Sequence, residues 1–145
     1  AIMKQPNLSE KSFLLKKTFL FEDLSIDSLL SIAEKLENFS LGREEHLFYH
    51  NQSALHIYII AQGSMQLLDE KGNPLIELGK GDLFGDEALF NDRIHKYQAK
   101  ALERCHLLGM TKKHLTGIIS ECPSVAINLL EAFARQIPFR HHIKS

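Results

Sequence analysis

Gly79-Lys80-Gly81-Asp82-Leu83-Phe84-Gly85-Asp86-Glu87-Ala88-Leu89-Phe90 is the stretch whose reading decides the fold. It is a glycine-bearing loop that leaves a region of short apolar runs and passes straight into what reads as one turn of helix. Gly85 can take backbone angles closed to other residues and lets the main chain approach a ligand closely. The free N–H groups of a helix start just after it would face an anion. Taken alone such a loop is also what a plain turn requires. Its setting decides between the two.

Outward from the loop, between Phe39 and Met110, apolar runs alternate with turn residues. The runs are His46–Tyr49, Leu55–Ile60, Ser64–Leu68, Leu75–Leu78, Tyr97–Leu102 and Cys105–Met110. Turns fall at Asn51-Gln52, Gln62-Gly63, Asp69-Glu70-Lys71-Gly72-Asn73 and Glu103-Arg104. Short strands at roughly 8–12-residue spacing predict an all-β roll, barrel or sandwich. Pro74 stands at the start of a strand, where its missing N–H does little harm.

Helices flank this β region. Ser25 is a candidate N-cap with Leu24 and Leu29 as its staple pair, followed by a stripe of Ile26, Leu29, Leu30, Ala33 and Leu36. Phe13-Leu14-Leu15 ahead of Lys16-Lys17 reads as a short helix, and Phe19-Leu20-Phe21 as an apolar anchor. At the far end Thr111 can cap a helix through Leu115, Ile118 and Ile119. Pro123 suits the start of a second helix, with Val125, Ala126, Leu129, Leu130, Phe133, Ala134 and Ile137 as its apolar face. Phe13–Phe39 is thus expected to lead in and Thr111–Ile137 to close.

The 145 residues carry 17 Lys+Arg against 18 Asp+Glu, a formal net charge of -1. That balance argues against a polyanion such as duplex DNA as partner and leaves a small anionic ligand open. Cys105 and Cys122 lie among apolar neighbours and read as buried structural thiols. No stretch reaches the ~18–20 apolar residues of a membrane span, and no signal peptide is apparent, so a cytoplasmic domain is expected. The histidines His46, His50, His56, His106 and His114 lack metal-ligand spacing, and His141-His142 sits in a basic tail. No catalytic signature appears, so neither an enzyme nor a required cofactor is expected.

The loop and its surroundings resemble the cyclic nucleotide-binding domain family over about residues 15–137. Leu20-Phe21-Glu22-Asp23-Leu24-Ser25 is similar to the approach to the family's first long helix, and Asn51-Gln52 falls at its Gly-Asp turn. Ile57-Tyr58-Ile59-Ile60-Ala61-Gln62-Gly63 resembles its strand ending in a required glycine. Gly81 through Leu89 resembles its phosphate-binding cassette, and Cys105-His106-Leu107-Leu108 its last strand. The implied fold is α+β, an antiparallel β-roll (double-stranded β-helix, jelly-roll-like) flanked by N-terminal and C-terminal helices. It would form a single domain over residues 1–145. The stretch after Ile137 is too short for a winged helix-turn-helix, so no effector domain and no DNA-reading element are expected in the chain.

The same resemblance implies a ligand site of Phe84, Gly85, Asp86, Glu87, Ala88, Arg93, His95 and Lys96. Gly85 offers its amide, and Asp86 stands where the family has a Glu that accepts from the ribose 2′-hydroxyl. Glu87 replaces an apolar residue and Ala88 keeps a small one. The family's phosphate-clamping Arg falls, on a gapless match, at His95, with Lys96 beside it and Arg93 two residues earlier. Imidazole offers one pH-dependent contact where guanidinium offers a bidentate, permanently charged one. The expectation is a ligand-sensing regulatory domain, with cyclic AMP or cyclic GMP as candidate ligand at weakened or absent affinity. Cassette occupancy would move the C-terminal helices to signal an effector domain or partner protein. The alternative is a degenerate fold kept as an interaction or dimerisation module, with the last helix as the homodimer contact.

Overall fold

A computed structural model describes residues 4–86 and 93–135 of the chain. The helical lead-in starts before Phe13. Helix α1 (Leu8–Lys17) is opened by a capping box in which Asn7 and Glu10 satisfy each other's backbone N–H groups. Helix α2 (Ile26–Glu34) begins where expected, with the Ser25 side chain accepting from the Ser28 N–H. Its buried face is Leu29, Ile32 and Ala33, while Ile26 stands exposed. The lead-in ends before Phe39, because β1 (Glu37–Leu41) already pairs with a distant strand.

The strands are β2 (His46–Phe48), β3 (His56–Gln62), β4 (Met65–Leu68), β5 (Pro74–Leu78), β6 (Leu83–Phe84), β7 (Gln98–Ala101) and β8 (Cys105–Thr111). They form two antiparallel four-stranded sheets, in the orders β1-β8-β3-β6 and β2-β7-β4-β5. Helix α3 (Lys112–Glu121) is capped by Thr111, and α4 (Ser124–Arg135) follows at 117° to it after Cys122 and Pro123. This is the α+β roll with flanking helices that the sequence implies. Gln136 and Ile137, the end of the expected closing segment, lie outside the described residues. Among those described, no single helix is long and apolar enough to cross a membrane.

The alternation of β3 explains the two cores. Ile57, Ile59 and Ala61 face the helices, joined by Leu108 and Met110 of β8. Tyr58 and Ile60 face the roll interior, joined by Cys105 and Leu107 of β8. Both strands are covered on both faces, which is why they read as continuous apolar runs. On α4 the buried set is narrower than its sequence suggests: Val125, Leu129 and Ala132 are buried, whereas Leu130 is exposed. Cys105 is buried and its thiol donates to the Ser64 carbonyl at 3.1 Å, while Cys122 is half-buried at the end of α3.

Ser12 is buried on α1, and its hydroxyl has no hydrogen-bond partner among the described residues. Ser12→Ala removes a dehydrated polar group and improves helix propensity, so it should stabilise the fold by about 1 kcal/mol, read as a raised urea midpoint.

Two histidines make stability pH-dependent. His106 is buried, with Nε2 donating to Asn38 Oδ1 at 2.9 Å and Nδ1 facing the Ser40 hydroxyl at 3.4 Å. Burial and then the Lys11 charge push its pKa down, and burial and then Lys35 do the same for His114. A lowered pKa means that the unfolded chain takes up protons first as pH falls. Full stability therefore holds above about 6.5 and drains away as pH descends from there toward the folded values. The thermal midpoint should fall between about pH 7 and about pH 5, and His106→Gln with His114→Gln should flatten that fall. Asp69, held low by the Asn73 amide, acts only further down, in the carboxylate range.

Candidate functional site

The loop that carries Gly85 is entered from strand β6. Leu83 and Phe84 pair with Ile59 and Tyr58 of β3, so the loop is anchored to the wall between the two cores. Gly85 follows at φ +89, and a Cβ there would lie 3.2 Å from the His56 carbonyl and 3.5 Å from the Tyr58 ring. Close approach and backbone angle together require the glycine. Asp86 is buried, 8% exposed, directly after it. Glu87 and Ala88 lie outside the described residues.

The other half of the candidate set arrives on a strap running antiparallel to residues 51–54. Ala54 N–H donates to the Arg93 carbonyl at 2.9 Å, Ile94 bridges Ser53, and His95 N–H donates to the Gln52 carbonyl at 2.9 Å. Asn51 N–H returns to the His95 carbonyl at 2.8 Å. Arg93 and Asn51 take φ 60 and φ 71, the left-handed region that Asn tolerates better than most residues. Arg93 and Lys96 are exposed on this strap, and His95 is turned inward.

His95 is 1% exposed, so it is not a solvated loop residue. Its ring lies flat on Phe48, centroids 3.4 Å apart and planes 5° from parallel. Around that stack, Tyr97 lies 5.6 Å and Tyr58 6.1 Å from Phe48. Tyr58 stacks in turn on Phe84 at 5.4 Å. The Tyr97 hydroxyl accepts from the Gly85 N–H at 3.1 Å, so the amide of that glycine points at a tyrosine. Burial, then the Glu37 carboxylate, pushes the Tyr58 phenol up to about 12, so it stays neutral and can donate a hydrogen bond. Glu37 itself accepts from His56 Nε2 at 3.0 Å.

An open cavity of about 500 Å³ lies against this stack, lined by Phe48, Asn51, Gln52, Ser53, Tyr58 and His95 among others. The structure thus gathers Phe84, Gly85, Asp86 and His95 in or beside the roll interior and leaves Arg93 and Lys96 at its exposed rim. Sequence reasoning missed Phe48, Tyr58 and Tyr97 as parts of the site. The period-two alternation of β3 could have placed Tyr58 on the interior face. Among the described residues no three His, Cys, Asp or Glu side chains converge as a metal site.

Known proteins are similar to this chain in sequence and fold. The chain is 30% identical over 95 residues to the cyclic AMP receptor protein of Thermus thermophilus, covering 63% of this chain and 44% of that one. It spans less than half the length of that curated relative. The crystal structure of the Thermus thermophilus catabolite activator protein superposes with a TM-score of 0.75 at 25% identity, over 82% of this chain and 58% of that one. The sensor domain of the transcriptional regulator DNR from Pseudomonas aeruginosa shares the fold, with a TM-score of 0.79 at 19% identity over 92% and 97% of the two chains. The family model of the cyclic nucleotide-binding domain matches residues 39–122, from the first strand to the end of α3. That match spans more than half of the chain and the roll with its flanking helices agrees with it, so the chain belongs to the cyclic nucleotide-binding domain family.

Proposed function

We propose that this chain is a regulatory ligand-sensing domain, not an enzyme, whose affinity for cyclic nucleotides is weakened at the phosphate clamp. The observation that carries the reading is His95, inserted into the roll interior and lying flat on Phe48. A stacked imidazole offers an incoming phosphate at most one edge, where an arginine offers a fork. Asp86 supports the same reading as the candidate acceptor for a ribose hydroxyl. The residues assigned to the ligand are Phe84, Gly85, Asp86, Glu87, Ala88 and His95, with Arg93 and Lys96 at the rim.

Transmission to an effector domain or partner protein would run through the closing helices. Asn128 of α4 donates to the Leu20 carbonyl at 3.3 Å and to Asp23 at 3.0 Å, so displacement of α4 would be felt ahead of α2. The two-state logic is that a ligand favouring one helix position shifts the population toward it.

Titration calorimetry with cyclic AMP and cyclic GMP at about pH 6 and about pH 7.5 tests the reading, since an imidazole holds a phosphate better when it is protonated. Weak binding, tighter at the lower pH, is the expected result. His95→Arg should restore roughly 30-fold or more of affinity, the order of a charge-assisted bidentate contact. Absence of heat from both proteins would refute the sensor reading for these nucleotides. It would favour a degenerate interaction or homodimer module instead, for which the exposed Ile127 and Leu130 of α4 offer the contact surface.

A further inference from the structure

Helix α1 carries its most exposed large hydrophobic side chain, Phe13, as a ridge between two concavities. Phe13 is 61% exposed, and the ammonium of Lys17 lies over its ring at 4.4 Å. On one side a groove of about 530 Å³ is lined by the buried Leu14 and Ala61 beneath Phe13, with Lys4, Lys17 and Lys80 around it. Its acid is Glu10, whose carboxylate is engaged by the Asn7 N–H of the capping box. No carboxylate pairs with Lys4, Lys17 or Lys80 among the described residues. On the other side a hollow of about 480 Å³ runs between α1 and α2 over Leu24, Ile26 and Leu29. Lys16 in its wall is different, since its ammonium is spent on the Glu22 and Leu24 carbonyls at 2.7 and 3.2 Å.

We propose that this strip is a docking surface for an acidic segment of a partner polypeptide that sets an apolar side chain against Phe13 and carboxylates opposite Lys4, Lys17 and Lys80. The charge pattern selects the occupant: three ammonium groups without ionic partners among the described residues rim an apolar floor, and a carboxylate-bearing chain complements both at once. The strip continues across Phe13 into the second hollow, an extended shape that suits a polypeptide better than a compact small molecule. A flat anionic membrane fits less well. The apolar floor is recessed between the elements, and Glu10 would be pressed against the headgroups. The groove reaches Lys80 and Gly81, at the start of the loop that leads to Gly85.

Random phage-displayed peptides of about a dozen residues, selected on the full chain and then measured singly by fluorescence anisotropy, provide the test. Enriched peptides should combine acidic residues with an apolar anchor. Their affinity should fall about tenfold or more in Phe13→Ala and in Lys17→Glu with Lys80→Glu, and should decline with added salt. Melting curves verify that the variants fold, and Leu75→Ser on β5, exposed and away from both surfaces, should leave binding unchanged. Three results would overturn the proposal. Enriched peptides could lack acidic excess or ignore the lysine reversals. The chain could bind phosphatidylcholine–phosphatidylglycerol vesicles through Phe13 and select no peptide, which would assign the surface to a membrane. Sedimentation could show a dimer that Phe13→Ala dissolves, which would assign it to a second copy of the chain.

Discussion

Gly63→Ala is expected to cost roughly 2–5 kcal/mol, a large share of the stability of a domain of this size. The residue sits at φ +91 in the turn from β3 to β4. A Cβ built there would lie 2.5 Å from the Arg104 carbonyl oxygen and 2.7 Å from the Cys105 sulfur. Neither neighbour can move cheaply. The carbonyl is main chain, and the sulfur is buried and hydrogen-bonded to Ser64. The turn before β8 would have to back away, disturbing the pairing of Gln62 with His106. Gly72→Ala is the informative control, because Gly72 has φ +88 with nothing within 4 Å of its would-be Cβ. It should lose only the conformational part, about 1–2 kcal/mol. Urea midpoints of the two variants measure the difference, and equal losses would show that the crowding at Gly63 is relieved without cost.

Phe48→Ala should be comparably damaging, at about 3–5 kcal/mol, the usual range for deleting a buried aromatic ring. The side chain is 3% exposed and is the platform on which His95 lies. Removing it strips one face of that histidine and leaves Tyr58, Phe84 and Tyr97 around a void. Phe48→Leu, which refills most of the volume, should lose no more than about 1.5 kcal/mol. Denaturant unfolding followed by circular dichroism separates the two. A loss for Phe48→Ala as small as that for Phe48→Leu would mean that the roll collapses around the gap.

The roll was legible because its strands announce themselves locally. Alternation, turn glycines and the solid apolar runs of β3 and β8 all point the same way. The turns of the loop were legible through the glycines at 81 and 85, which both take positive φ. Other parts are set by contacts distant in sequence. Strand β6 is two residues long and exists because β3 lies beside it. No local pattern marks so short an element. The burial of His95 follows from the pairing of its backbone with Asn51 and Gln52, and nothing in Arg93-Ile94-His95-Lys96 itself announces which side chain turns inward. The early start of α1 was readable, since Asn7 and Glu10 have the capping-box spacing, but the apolar residues from Phe13 onward drew attention past it.

Strand β3 separates the helical layer from the roll interior by the thickness of one backbone. Its odd positions, Ile57, Ile59 and Ala61, and its even positions, Tyr58 and Ile60, belong to different cores. Substitution can therefore revise the two sides of this partition independently. A change at Tyr58 alters what the interior will accept while the surface presented to α3 and α4 keeps its shape, and a change at Ile59 does the reverse. Two selective demands are written on alternate letters of one short word, so drift in ligand preference need not erode the docking of the helices.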